Sequence, residues 1–221
     1  MRQPQQPPES AVRILAGLLA CALYAGTSQA SDLLFQSADT VNEGPLHLLE
    51  TRPAKPVHHH QNRIRIDADS LADGWVALEQ CHDNLDAVPR AQITFREGYI
   101  RDLKVEQSRG IEQAWVEDAS VQLQQIAPGS RLCLSARMRA LRDAGSGFYN
   151  LVGGPYMRKF LNGYYPMQVT LDIDYPQTML RVVDVSPQPA PGLALQETPG
   201  HIHIEALFEG ELFTLVQFVR P

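Results

Sequence analysis

Two histidines two residues apart, His201 and His203, stand in the run HIHIEALF together with Glu205. On a strand, residues i, i+2 and i+4 share a face. Two imidazoles and a carboxylate would then project together while Ile202 and Ile204 point inward. That donor set can chelate zinc or copper, and the run His58-His59-His60 could add ligands from a flexible lead. The same residues also fit a polar, solvent-facing strand and a chance run of histidines. His82, Asp83 and Asp86 share a turn-rich loop, open either to acid–base chemistry or to an ordinary solvated turn. The chain has no G-x-S-x-G, P-loop, dinucleotide-binding glycine pattern or H-E-x-x-H. It therefore reads as non-catalytic, with no cofactor beyond the copper or zinc option.

The second chemically distinctive stretch is GSGFYNLVGGPYMRKFLNGYYP, residues 145–166, which holds five glycines and six aromatics. Tyr156, Tyr164 and Arg158 are the candidate binding residues, because a tyrosine offers a flat apolar face and a polar tip to a glycan or a protein partner. The alternative is structural, with the aromatics covering a junction between two β units. A short helix from about Pro155 to Leu161 would put Tyr156 and Phe160 on one face. Phe160 has no polar group and is expected inside. Alternation carried back from Met167 puts Tyr165 on the core side and Tyr164 on the other.

The surrounding elements are strands. Arg63–Asp67, Trp75–Cys81, Ala91–Phe95, Tyr99–Val105, Val121–Leu123 and Leu132–Leu141 carry strand patterns, and Glu97-Gly98 suggests a hairpin between the third and fourth. Met167–Tyr175 alternates without a break, Leu180–Val185 follows, and His201–Phe208 with Leu212–Val219 suggests a second hairpin around Gly210. No long stretch has a helical period. The expected fold is all-β: two β-sandwich-like units in tandem, or one large sandwich, with the aromatic, glycine-rich stretch connecting them. The expected divisions are 1–30 export signal, 31–61 flexible lead, 62–144 first β unit, 145–166 aromatic junction and 167–221 second β unit.

The first thirty residues read as an export signal: Arg2 and Arg13, the apolar run Ile14–Gly26, then Ser28-Gln29-Ala30 at a cleavage position. Retention as a short anchor and lipidation at Cys21, within Leu18-Leu19-Ala20-Cys21, are the other options. The expected location is the periplasm, or its membrane surface if Cys21 carries lipid. A formal charge of −6 argues against nucleic acid, which favours a basic stripe. After cleavage only Cys81 and Cys133 remain. In an oxidising compartment they would form one disulfide worth about 4 kcal/mol in the chain-entropy description; a metal-binding or reactive thiol is the alternative.

The segment VQLQQIAPGSRLCLSA, residues 121–136, resembles the corner between two sheets in fibronectin type III and immunoglobulin-like domains, where a Pro-Gly turn precedes a strand bearing a cysteine. Over residues 62–142 that resemblance implies an inter-sheet Cys81–Cys133 bridge. The tryptophan and tyrosine usual at such a core are missing. The chain as a whole resembles uncharacterised exported proteins of Gram-negative bacteria, a resemblance that implies no activity. The expected role is a non-catalytic binding or assembly module acting through protein or glycan contacts. The alternative is a periplasmic copper- or zinc-binding protein using His201, His203 and the His58–His60 run.

Overall fold

A computed structural model describes residues 44–160 and 163–221. The export signal, Cys21 and the Phe160 side chain lie outside the described set. The elements in order are β1 His47–Leu48, β2 His58–Arg65, α1 Ser70–Asp73, β3 Trp75–Asp83, β4 Arg90–Thr94, β5 Ile100–Glu117, β6 Ser120–Arg139, β7 Leu141–Gly145, β8 Phe148–Tyr156, β9 Lys159–Phe160, β10 Gly163–Tyr164, β11 Met167–Asp174, β12 Arg181–Ser186, β13 Leu193–Thr198, β14 His201–Glu209 and β15 Leu212–Val219. The fold is all-β, and α1, a single turn, is the one helix among the described residues. No helix among them is long and apolar enough to cross a membrane.

Two sheets face each other. The larger has nine strands in the path β1-β14-β11-β2-β3-β6-β4, with β13 also on β14 and β5 also on β6. The smaller runs β12-β15-β8-β7. The main core fills the space between them and includes Val76, Leu78, Val169, Leu171, Ile204, Phe208, Val216 and Phe218. A second cluster, built on Val121, Leu123, Leu132 and Leu134, lies under the long β5–β6 ladder.

This arrangement is one sandwich, not two units in tandem. β2, β3 and β6 share a sheet with β11 and β14, so strands from both expected units are interleaved. The chain changes sheets after β6, before β11, before β12, before β13 and at Gly210. The main core joins residues of both halves, with Val76 and Leu78 of the first and Val216 and Phe218 of the second in one cluster, so it closes only when strands of both halves are brought together. Hairpins expected from turn residues give way to this demand. β4 and β5 do not pair with each other but flank β6, and β14 and β15 lie in different sheets. At Gly210, with φ +90°, an added Cβ would lie 2.0 Å from the Pro45 carbonyl oxygen, so glycine lets the chain cross there.

Three further expectations are corrected. Residues 58–61 belong to a central strand and not to a flexible lead, since β2 pairs in parallel with β11 and antiparallel with β3. The aromatic stretch is partly strand: β8 pairs with β15 and β7, and β9 and β10 form a small ladder in place of a helix at 155–161. The Pro128-Gly129 turn is a bulge within β6. The β5–β6 register steps from Ile111↔Ile126 to Arg109↔Arg131, and both sides remain in one sheet.

Cys81 and Cys133 face each other directly across β3 and β6, with Cα atoms 4.1 Å apart. That is near the spacing of a non-hydrogen-bonded antiparallel pair, about 4.5 Å. The bridge therefore joins neighbouring strands on the outer face of one sheet; it does not link two sheets. Neither Cys81 nor Cys133 should be alkylatable in the native protein, and replacing both by serine should lower unfolding free energy by about 4 kcal/mol. Urea melts of the two forms decide it, and equal midpoints would rule out a constraining bridge.

Candidate functional site

The inner faces of β2 and β3 change character along their length. On β2, Ile64 is followed towards the N-terminus by Asn62, His60 and His58. On β3, Val76 and Leu78 are followed towards the C-terminus by Gln80 and His82. Antiparallel register aligns the two gradients, pairing His60 with His82 and Ile64 with Leu78. One end of the sandwich is therefore lined with polar groups. His58, His82, Gln80 and Asn62 are buried there, and His60 is partly buried.

Those groups satisfy one another. His58 Nε2 and His82 Nδ1 lie 2.8 Å apart, and His82 Nε2 lies 2.6 Å from the Gln80 side-chain amide. His60 Nε2 is 2.8 Å from Asn62 Oδ1, and Asn62 Nδ2 donates to the Tyr156 hydroxyl at 3.4 Å. The His60 ring stands edge-on to the Tyr156 ring, centroids 5.2 Å apart. Tyr156, on β8 of the facing sheet, also bonds Thr214 of β15. Gly153 permits this approach, because a Cβ there would lie 2.5 Å from Thr214 Oγ1 and 2.6 Å from the Tyr156 oxygen.

Burial disfavours charge throughout the network. It pushes His58 down to about 3 and His60 down to about 4, holds His82 well below an ordinary imidazole, and raises Tyr156 to about 12. The imidazoles are therefore neutral at physiological pH. The arrangement can relay hydrogen bonds, but two ring nitrogens 2.8 Å apart share a proton. Among the described residues, no group of three or more His, Cys, Asp or Glu side chains is arranged to hold a metal ion.

Arg158 closes this end. Its guanidinium makes a two-pronged ion pair with Asp86 and donates to the Pro166 carbonyl at 3.1 Å. The hydrogen bonds from Arg158 hold the Asp86 carboxyl below its usual range. Arg158 thereby ties the aromatic segment to the loop after β3. Around it, the Tyr164 hydroxyl donates to Glu211 at 2.6 Å, and the Lys159 ammonium lies over the Tyr164 ring. Tyr165 is 43% exposed beneath the Arg158 guanidinium. Its expected core position is thus corrected: Pro166 interrupts the strand, so the alternation of β11 does not extend back to it.

Of the three expected binding residues, all lie at this end, but Tyr156 is buried and Arg158 is engaged by Asp86. His201, His203 and Glu205 do share the outer face of β14. There each has a partner: His201 Nδ1 and Asp174 Oδ1 are 2.9 Å apart, His203 Nδ1 and Asp172 Oδ1 2.8 Å, and Gln168 donates to Glu205 at 2.7 Å. His58 and His60 point to the opposite side of the sheet and cannot join them. Only His59 shares the outer face, bonded to Thr170 at 2.8 Å. The inward histidines carried a readable signal. Counting back by twos from Ile64 places Asn62, His60 and His58 on the core side.

Neutral buried imidazoles make stability depend on pH in a definite direction. The unfolded chain binds protons on these groups below about pH 6.5, whereas the folded chain does not until about pH 4 or lower. Their contribution is complete above pH 6.5 and is lost as pH falls towards 4. Between pH 6.5 and 5 His58 and His60 should each subtract about 2 kcal/mol, with His82 acting in the same direction, readable in urea melts across that range. A flat profile would contradict neutral burial. At neutral pH, Gly153→Ala should cost about 1–3 kcal/mol by overpacking, and Tyr156→Phe a similar amount by leaving Asn62 and Thr214 short of a partner. Midpoints unchanged in both would refute the network.

The sequence matches no known family model and no curated protein. Among solved structures, the chain is similar to an M1 zinc metallopeptidase from Deinococcus radiodurans, crystallised with a Tyr-Ser-Ala substrate. Identity is 10% and the TM-score 0.42, over 80% of this chain and 43% of that one. This chain thus spans less than half the length of that protein, and a likeness at that level extends neither zinc nor peptidase activity to it.

Proposed function

We propose that the chain is an exported, non-catalytic binding or assembly module of the periplasm, contacting a protein or glycan through the closed, aromatic end of the sandwich. One observation carries this reading. Eight large apolar side chains are exposed among the described residues, and four of them, Leu46, Met157, Tyr165 and Phe213, belong to that end. The segments bearing them touch one another. Glu211 N donates to Gly44 O at 3.0 Å, Tyr165 N donates to Arg158 O at 2.9 Å, and Leu212 pairs with Tyr156. Exposed aromatic and methionine side chains gathered beside a paired arginine have the composition of interface centres. The buried network beneath holds this end in one conformation, which lowers the ordering cost of binding.

The test uses photo-crosslinking amino acids in the living cell, placed at Met157 and at Tyr165, with Arg65 on the outer polar face as control. Discrete adducts from the first two positions and none from the control support the reading. Tyr165→Ala should leave folding stability within about 0.5 kcal/mol while abolishing the Met157 adduct or binding on a glycan array. Equal labelling at all three positions, with no glycan retained, would count against it. So would recovery of the protein in the cytoplasm.

A further inference from the structure

The two outer faces of the sandwich differ in kind. The large sheet presents charged and hydrogen-bonded groups across β2, β11 and β14, among them Arg63, Asp172, Asp174 and His203. That is the usual pattern for a sheet with one face in water. On the small sheet, Tyr149, Leu151, Val216 and Phe218 fill the core. Beyond the irregularity between Leu212 and Thr214, the alternate positions, which face outward, are Phe148 and Val152 on β8 with Leu215 and Val219 on β15. The sequence of β15, LFTLVQFV, is apolar at both parities. Such a run is characteristic of a strand buried on both faces.

The register orders this outer face into three rows. Phe148 lies beside Val219, which lies beside Arg181, and Val152 lies beside Leu215, which lies beside Ser186. Between these apolar rows runs Arg142–Asn150–Gln217–Asp184, one residue from each of the four strands. Gln217 donates to Asn150 at 3.2 Å, and Arg142 and Asp184 are exposed at the two ends. With strands about 4.8 Å apart, the two charges are separated by about 14 Å.

The geometry points to a second copy of this chain as the occupant of this face. A two-fold axis parallel to the strands, passing between β8 and β15, reverses the central row onto itself. Arg142 of one copy then meets Asp184 of the other, at both ends, and the two amides meet between them. In each flanking row the apolar pair on β8 and β15, Phe148 with Val219 and Val152 with Leu215, meets its own copy, and Arg181 and Ser186 fall at the edge on β12. A self-complementary patch of this kind is what a two-fold interface requires. Two sheets packed in this way lie about 10 Å apart and bury both inner faces. The inference concerns a different face from the aromatic end and does not depend on what binds there.

Sedimentation equilibrium of the exported protein tests it. A dimer with Kd of about 10 µM or tighter is expected for an interface of ordinary size. Leu215→Lys should yield a monomer. Arg142→Asp and Asp184→Arg should each weaken association at least about tenfold, because like charges would then face each other. The double variant Arg142→Asp/Asp184→Arg should return to within about threefold of the parent. Both charged positions are exposed, so unchanged circular dichroism and urea midpoints serve as folding controls. Tyr165→Ala should leave the dimer intact, which separates this interface from the binding end. A monomer at ~100 µM would overturn the proposal, whether the face is covered by residues 31–43 of the same chain or by another protein. A dimer indifferent to the two single charge reversals, or not restored by the double one, would overturn it as well.

Discussion

The parallel ladder between β2 and β11 is the constraint on which the rest of this structure depends. It runs from His58↔Met167 to Arg65↔Asp174, joining strands more than a hundred residues apart. On one side of it lie β3, β6, β4 and β5; on the other lie β14, β13 and β1. Without that ladder the large sheet would be two smaller antiparallel blocks, each with an open edge. The ladder also sets the orientation of β2. Ile64 stands beside Ile173, whereas Asn62, His60 and His58 stand beside Leu171, Val169 and Met167. The polar end of the interior follows directly from that alignment.

Much of the fold was legible because it obeys simple periodicity. Met167–Asp174 and His201–Glu209 alternate cleanly, and both are strands with the expected faces. Glycine and proline misled in a consistent way. Glu97-Gly98 and Gly210 mark sharp changes of direction, but a turn residue does not say whether the next strand pairs with the last one or crosses to the opposite sheet. That choice is made by which apolar face can cover which, a property of the whole chain. Gly153, Gly154 and Pro155 likewise hid β8, whose outer position Gly154 and inner position Gly153 are shaped by close approach of β15.

The candidate site was less legible because it breaks a rule. Three consecutive histidines read as polar and exposed, yet two of them face the interior. Neutral imidazoles are admitted there because each finds a partner. A half-satisfied set would be worse than hydrocarbon. His82 answers His58, Gln80 on the same strand answers His82, and Tyr156 on the opposite sheet answers Asn62. No single stretch of sequence contains this set. It spans β2, β3, β8 and β15, and only the interleaving of the two halves brings it together. An interior of this kind gives up hydrocarbon contact and gains a single defined arrangement of the loops above it.

The position of the Cys81–Cys133 bridge affects the chain before the native state exists. Both residues lie on strands that the folded ladder already holds side by side, so in the native state the bond adds little that hydrogen bonding does not supply. Its influence falls on the unfolded ensemble, where it tethers the β3 and β6 segments at one point and closes β4 and β5 into one loop. An oxidised chain therefore starts its search with one long-range contact, across fifty-two residues, already made. What remains is to dock β2 and then β11 against that tethered pair, and β11 arrives late in synthesis. Oxidised and reduced chains of identical sequence thus begin from different ensembles.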